Sequence, residues 1–183
     1  MNRTWILTAS GADRPGIVAG VTKALFALGC NLEDSAMTRL EGEFAIMLVF
    51  SAPARATEAH LERALDAIGR RFGLSIHLKP LRQPRSSSRR GPSHLISVYG
   101  ADRPGIVYRV SDLLARLRVN ITDVSTHRTA AARGASVKPL YLLLLEVELP
   151  ARLHAARLEQ RLRGLAKRLG VEVSLRGADT NLL

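Results

Sequence analysis

Hydrophobic positions along the chain change period in a set order, and the order occurs twice. Residues 4–10 and 94–99 are short segments rich in β-forming residues. Each is followed by apolar residues three and four apart: Val18, Val21, Leu25 and Leu28 in the first half, Val107, Val110, Leu114 and Leu117 in the second. That spacing lays one stripe along a helix. The helices are expected to end at Gly29, a natural C-terminal stop, and near Arg118, a weaker one. Two strands then follow, 31–40 with 43–51 and 119–130 with 138–149, the first pair joined by a tight turn at Glu41-Gly42. A second helix carries Leu61, Leu65, Ile68 and Phe72, matched by Leu158, Leu162, Leu165 and Leu169. Final strands are expected at 74–79 and 171–175. The order β-α-β-β-α-β, twice, predicts an α+β protein of two ferredoxin-like modules, each an antiparallel sheet with both helices on one face.

The duplication is also literal. Gly-Ala-Asp-Arg-Pro-Gly-Ile-Val stands at 11–18 and unchanged at 100–107, an offset of 89 that also aligns Asn31 with Asn120 and Asp34 with Asp123. Later the offset is 97, aligning Leu61 with Leu158 and Gly73 with Gly170. The second copy has therefore gained eight residues, around 130–139, expected to loosen its hairpin loop. The expected organisation is a first module at 1–80, a Pro/Ser/Arg-rich mobile linker at 81–93, a second module at 94–176 and a tail at 177–183.

The third strands break the alternation expected of a sheet with one solvated face. Phe44, Ile46, Leu48 and Phe50 oppose Ala45, Met47 and Val49, and Tyr141, Leu143 and Leu145 oppose Leu140, Leu142 and Leu144. Exposing such a face costs about 25 cal/mol per Å² of apolar area. The modules are therefore expected to associate with each other, with another chain, or both, and a homo-oligomer is expected.

The 183 residues, 46% of them hydrophobic, suffice for two small cores. The longest apolar runs fall far short of the roughly 20 residues a membrane helix needs. The N-terminus leads directly into strand-like sequence, without the apolar segment of a signal peptide. Cys30 is the sole cysteine, which excludes an intrachain disulfide and makes the cytoplasm the expected location. The net charge of +11 is uneven. Residues 1–80 carry nine Lys/Arg and eight Asp/Glu, 81–93 four Arg and no acid, and 94–183 fourteen Lys/Arg and eight Asp/Glu. A solvated basic face is the simplest account. The alternative is direct nucleic-acid binding through the linker and the second module, where Arg157, Arg161, Arg163, Lys167 and Arg168 stand clear of the core stripe.

The octapeptide joins a strand to a helix start. Pro15 suits a first helical turn, Asp13 can cap the free N–H groups ahead, and Gly16 leaves the helix start uncovered. Such an end suits a carboxylate. A strand-to-helix turn kept by duplication accounts for the residues equally well. The spacing matches neither a dinucleotide fingerprint nor a Walker loop.

The pattern Gly-x-Asp-Arg-Pro-Gly-Ile-Val, a dozen residues of helix, then Cys-Asn-Leu or Val-Asn-Ile opening the second strand resembles the ACT domain, here as a tandem pair. The resemblance implies side-by-side sheets. A small effector, usually an amino acid, would bind between the first loop of one module and the start of the second strand of its partner. The implied ligand-binding residues are Gly11, Ala12, Asp13, Pro15, Gly16, Ile17 and Asn31, and Gly100, Ala101, Asp102, Pro104, Gly105, Ile106 and Asn120. Asp would meet an α-ammonium group, backbone N–H groups the carboxylate, and Asn either. A tandem pair without an enzyme domain is similar to the glycine cleavage system transcriptional repressor group. That similarity implies an amino-acid-responsive regulator acting through a protein partner, a transcription factor or a metabolic enzyme.

No cofactor or catalytic residue is expected. The five histidines, His60, His77, His94, His127 and His154, have no metal-ligand spacing. Ser35 with Asp34 and Ser125 with Asp123 border the implied pocket, yet no histidine holds matching places in both copies. Substitution of Ala19-Gly20 by Tyr108-Arg109 is expected to reshape the second pocket.

Overall fold

The computed structural model describes residues 2–81, 92–129 and 140–177. The expected linker apart from its ends, the inserted segment at 130–139 and the tail beyond Gly177 lie outside the described residues. The chain forms two compact units, divided between Ser86 and Ser87. The first contains β1 (Arg3–Ala12), α1 (Ile17–Ala27), β2 (Asn31–Leu40), β3 (Glu43–Ala52), α2 (Glu58–Phe72) and β4 (Ser75–Pro80). The second contains β5 (Ser93–Ala101), α3 (Ile106–Arg116), β6 (Asn120–Arg128), β7 (Leu140–Glu148), α4 (Ala155–Leu169) and β8 (Val171–Gly177). The sheets run β2-β3-β1-β4 and β6-β7-β5-β8, every neighbour antiparallel. This is the α+β, twice-repeated ferredoxin-like arrangement.

Strand alternation builds each core. Trp5, Leu7 and Ala9 of β1 and Phe44, Ile46, Leu48 and Phe50 of β3 are buried with Val21, Leu25, Leu61 and Leu65 of the helices. Ile96, Val98, Leu143, Leu145, Val110, Leu114, Leu158 and Leu162 repeat the arrangement. The opposite face of β3 carries Ala45, Met47 and Val49, and Met47 is 50% exposed. On β7 the outward residues Leu140, Leu142 and Leu144 are half-buried. One buried donor, Trp5 Nε1, has no partner among the described residues. Its counterpart at an offset of 89, His94, meets the Pro92 carbonyl through Nδ1 at 3.0 Å.

The first helices follow the expected stripe except at its first position, with Leu28 and Leu117 packed against the cores at its end. Ile17, Val21 and Leu25 are buried, as are Ile106, Val110 and Leu114, whereas Val18 and Val107 are exposed. Each helix starts on the isoleucine, and positions i, i+4 and i+8 then share the core-facing line, leaving the following valine about 100° away. Pro15 lies before the helix, and Asp13 does not cap it. Gly16 and Gly105 are the N-cap residues, at φ 93° and 90°, and no side chain caps either helix. At the far end Gly29 (φ 74°) and Arg118 (φ 57°) share the left-handed conformation, so the arginine completes the stop at a steric cost.

The second helices differ at their N-termini. Thr57 caps α2, its hydroxyl accepting from the His60 N–H at 3.4 Å, and Glu58 lies in the first turn. His154 gives α4 no side-chain cap, and the first turn of α4 holds no acid.

Candidate functional site

Both octapeptide loops lie at the same end of their sheets. β1 and β5 run two residues into the motif, pairing Gly11 with Phe44 and Gly100 with Tyr141. The fold itself requires several motif residues. A Cβ on Gly11 would lie 2.8 Å from the Gly73 carbonyl oxygen, and one on Gly100 2.8 Å from Val171 Cγ1. Gly16 and Gly105 supply the left-handed N-cap. Ile17 and Ile106 bury their side chains in the cores, which leaves only their backbone to face a ligand. Ala12 and Pro15, like Pro104 and Gly105, are solvent-exposed or nearly so.

The Asp residues have partners that the motif alone did not reveal. Asp13 Oδ2 pairs with Arg39 Nη1 at 3.0 Å, and Asp102 Oδ2 with Arg128 Nε at 2.9 Å. Arg39 and Arg128 stand near the ends of β2 and β6 and align at the repeat offset of 89, the signal that could have found them. The Asp13 N–H also donates to the Gly42 carbonyl at 2.8 Å, tying the loop to the β2–β3 turn. Arg103 instead reaches across to the Leu169 carbonyl at the end of α4, 3.3 Å away.

Asn31 and Asn120 open β2 and β6, so within a unit each lies at the other end of the strand from the loop. Nine residues of strand, roughly 30 Å at 3.3 Å per residue, separate Asn31 from Leu40. No single unit therefore brings its own Asn to its own loop. β2 is an edge strand, exposed at all ten positions, and β6 is nearly so. Each carries a bulge at the same place, between Leu32 and Asp34 and between Ile121 and Asp123.

The two units differ chemically around these shared points. An open groove of about 490 Å³ runs between α1 and β2, lined by Ala19, Thr22, Lys23, Phe26, Cys30 and Asn31 among others. Burial pushes the Cys30 thiol pKa up. The second unit has Tyr108, Asp112 and Ala115 where the first has Ala19, Lys23 and Phe26, and Asp112 is paired with Arg116 at 3.0 Å. Asn120 Nδ2 lies 3.5 Å from Glu148 Oε2, whereas Ser51 stands opposite Asn31. Near the second loop, burial raises the Tyr141 pKa; a hydrogen bond with Thr126 lowers it and the Asp102 charge raises it. Phe44 and Met37 occupy those places in the first unit.

Among the described residues, no group of three or more His, Cys, Asp or Glu could hold a metal ion. The Ser125 hydroxyl meets His127 Nε2 at 3.2 Å on exposed β6. Thr38 stands in place of His127 in the first unit, so the pair is not a repeated feature. Among the described residues, no helix is long and apolar enough to cross a membrane.

The family model for the ACT domain matches residues 3–79 and again 94–176. The glycine cleavage system transcriptional repressor of Escherichia coli is 30% identical over 174 residues, 93% of this chain and 87% of that protein. A UPF0237 protein of Streptococcus mutans is 35% identical over 74 residues, 40% of this chain and 84% of that one. Among solved structures, an unknown protein from Galdieria sulphuraria superposes with a TM-score of 0.85 at 25% identity, covering 97% of this chain and 99% of that chain.

Proposed function

The chain belongs to the ACT domain family, as a tandem pair, and we propose from that premise that it is a regulatory protein, not an enzyme. It senses a small amino acid and passes its ligand state to a protein partner. Similarity over nearly the whole chain to a protein named as a transcriptional repressor supports the regulatory role. A single cysteine, which can form no intrachain disulfide, fits a cytoplasmic protein.

The observation that carries the reading is the layout of β2. This exposed edge strand has the Asp13–Arg39 pair near one end and Asn31 at the other. Two units set edge to edge with these strands antiparallel would place the loop of one beside the Asn of the other. An amino acid there would meet Asp13 or Asp102 through its ammonium group, in exchange with the Arg39 or Arg128 guanidinium. Its carboxylate would meet the uncapped N–H groups that open α1 or α3. The Asn amide would bind either group. The apolar residues on the helix-free faces supply a further reason for units to associate, within a chain or between chains.

A thermal-shift screen of the twenty amino acids tests the reading. At one hundred times Kd a ligand should stabilise the folded protein by about 2.7 kcal/mol. Asp13→Ala and Asp102→Ala together should abolish the response to the amino acid that gives it. Folded protein that responds to none of the twenty, or an unchanged response in the double variant, would overturn it.

A further inference from the structure

The two second helices occupy equivalent places but carry different charge. On α2, Glu58, Glu62 and Asp66 offset Arg63, Arg70 and Arg71. On α4, Glu159 alone stands against Arg157, Arg161, Arg163, Lys167 and Arg168, all five exposed. Two of the five have a local explanation shared by both units. Lys167 and Arg168, like Arg70 and Arg71, lie in the last helical turn, where the helix dipole favours cations. Arg163 has one of its own, an i,i+4 ion pair with Glu159 at 2.6 Å.

Arg157 and Arg161 have no such explanation. They replace His60 and Ala64 of α2, and neither has an acidic partner among the described residues. Arg157 also lies in the first turn of α4, where the dipole opposes a cation, no acid is present and no side chain caps the helix. The fold gains nothing from a cation there.

The helix surface around these residues has relief. Ala156, Gln160 and Gly164, four residues apart, form a row of uncharged positions floored by a shallow groove of about 480 Å³. A Cβ on Gly164 would meet nothing within 4 Å. On the helix surface Arg157 and Arg161 flank this row on one side, Glu159-paired Arg163 and Lys167 stand on the other, and Arg168, four residues beyond Gly164, closes its C-terminal end. A groove along an i,i+4 row receives the ridge of another helix.

We propose that the outer face of α4 is a protein-docking surface whose occupant is an acidic amphipathic helix of a partner. Its small side chains lie along the Ala156–Gln160–Gly164 row, and its carboxylates meet Arg157, Arg161 and Arg168. Several observations favour a helix over a nucleic-acid duplex. The basic strip is one helix wide and about 22 Å long for the 15 residues of α4. Asp112 on neighbouring α3 would face the phosphates of a duplex lying across both helices, whereas a single helix seated along α4 avoids it. No aromatic residue lies on α4 to stack on a base. Arg157 and Arg161 lie toward the end of α4 opposite the one that Arg103 of the octapeptide loop touches, so the inference does not depend on which ligand the loop binds.

Fluorescence anisotropy with the full chain tests it, using two probes at physiological ionic strength: a labelled 20-residue helical peptide rich in Glu and Ala, and a labelled 20-base-pair duplex of arbitrary sequence. The peptide should bind more tightly than the duplex. The double variant Arg157→Glu/Arg161→Glu should weaken peptide binding at least tenfold. The first of these substitutions puts an acid where the helix dipole favours one, so misfolding would not explain the loss, and circular dichroism checks the fold. Arg63→Glu/Arg70→Glu on α2 should leave binding within twofold of the parent. Tighter binding of the duplex, lost in the α4 variant, would make this a nucleic-acid face and overturn the proposal. Peptide binding that is absent, or unmoved by the α4 variant, would reduce the strip to a solvated surface and overturn it as well.

Discussion

Gly11 and Gly16 are both glycines of the repeated motif, but different forces hold them. Gly16 has room for a Cβ, which would meet Phe72 carbons at an ordinary contact distance of 3.8 Å, and is set by its φ of 93° alone. Gly16→Ala should therefore cost about 1–2 kcal/mol. Gly11→Ala should cost more, because its Cβ would press on the Gly73 carbonyl at 2.8 Å and the paired strands cannot part locally. Denaturant midpoints read through Trp5, the only tryptophan, report on the first unit and check the order of the two. Asp13→Ala should barely move that midpoint, since an exposed pair such as Asp13–Arg39 contributes about 0–1 kcal/mol. Under the proposed function its effect is expected in the ligand response instead. Cys30 should react with a maleimide more slowly than a free thiol, and the rate should climb as pH rises through its raised pKa, because the thiolate is the nucleophile. A rate equal to that of a free thiol near neutrality would contradict this.

At the level of single elements the second unit is the less well finished. α4 lacks the cap that Thr57 gives α2, and α3 ends on Arg118 where α1 ends on Gly29. His154→Asp should stabilise the second unit by about 1 kcal/mol through a capping bond, and Arg118→Gly by a similar amount through relief of the left-handed backbone. Thermal unfolding followed by circular dichroism measures both, and no gain in either would mean that these ends are not the weak points. The elements were legible in the sequence wherever one period dominated. Leu61 and Leu65 mark α2, and the Glu41-Gly42 turn marks the β2–β3 hairpin. The first core residue of α1 was not legible, because Ile17 and Val18 are equally apolar and only the position of the N-cap decides which faces the core. The ion pairs at Asp13 and Asp102 escaped for a related reason. Their partners lie 26 residues away in sequence, and only the register of β2 and β6 brings an arginine to the loop.

For the molecule as a whole, duplication supplied two copies in each of which the loop and the asparagine lie at opposite ends of one edge strand. The motif and the two asparagines were visible in the sequence, but their opposite ends of β2 and β6 were not, because strand length becomes distance only once the strand is formed. The copies have since diverged. Lys23 and Phe26 line a groove beside Asn31, whereas Asp112 is paired and Asn120 lies against Glu148. Unequal affinities at the two sites are therefore expected. The central claim is that a ligand is held by the loop of one unit and the asparagine of another. Isothermal titration of the responding amino acid into the parent chain, into Asp13→Ala/Asp102→Ala and into Asn31→Ala/Asn120→Ala tests this most directly. The account predicts that both folded double variants lose binding at least tenfold, although the substituted residues lie roughly 30 Å apart within each unit. Binding lost in one double variant and unchanged in the other would contradict it.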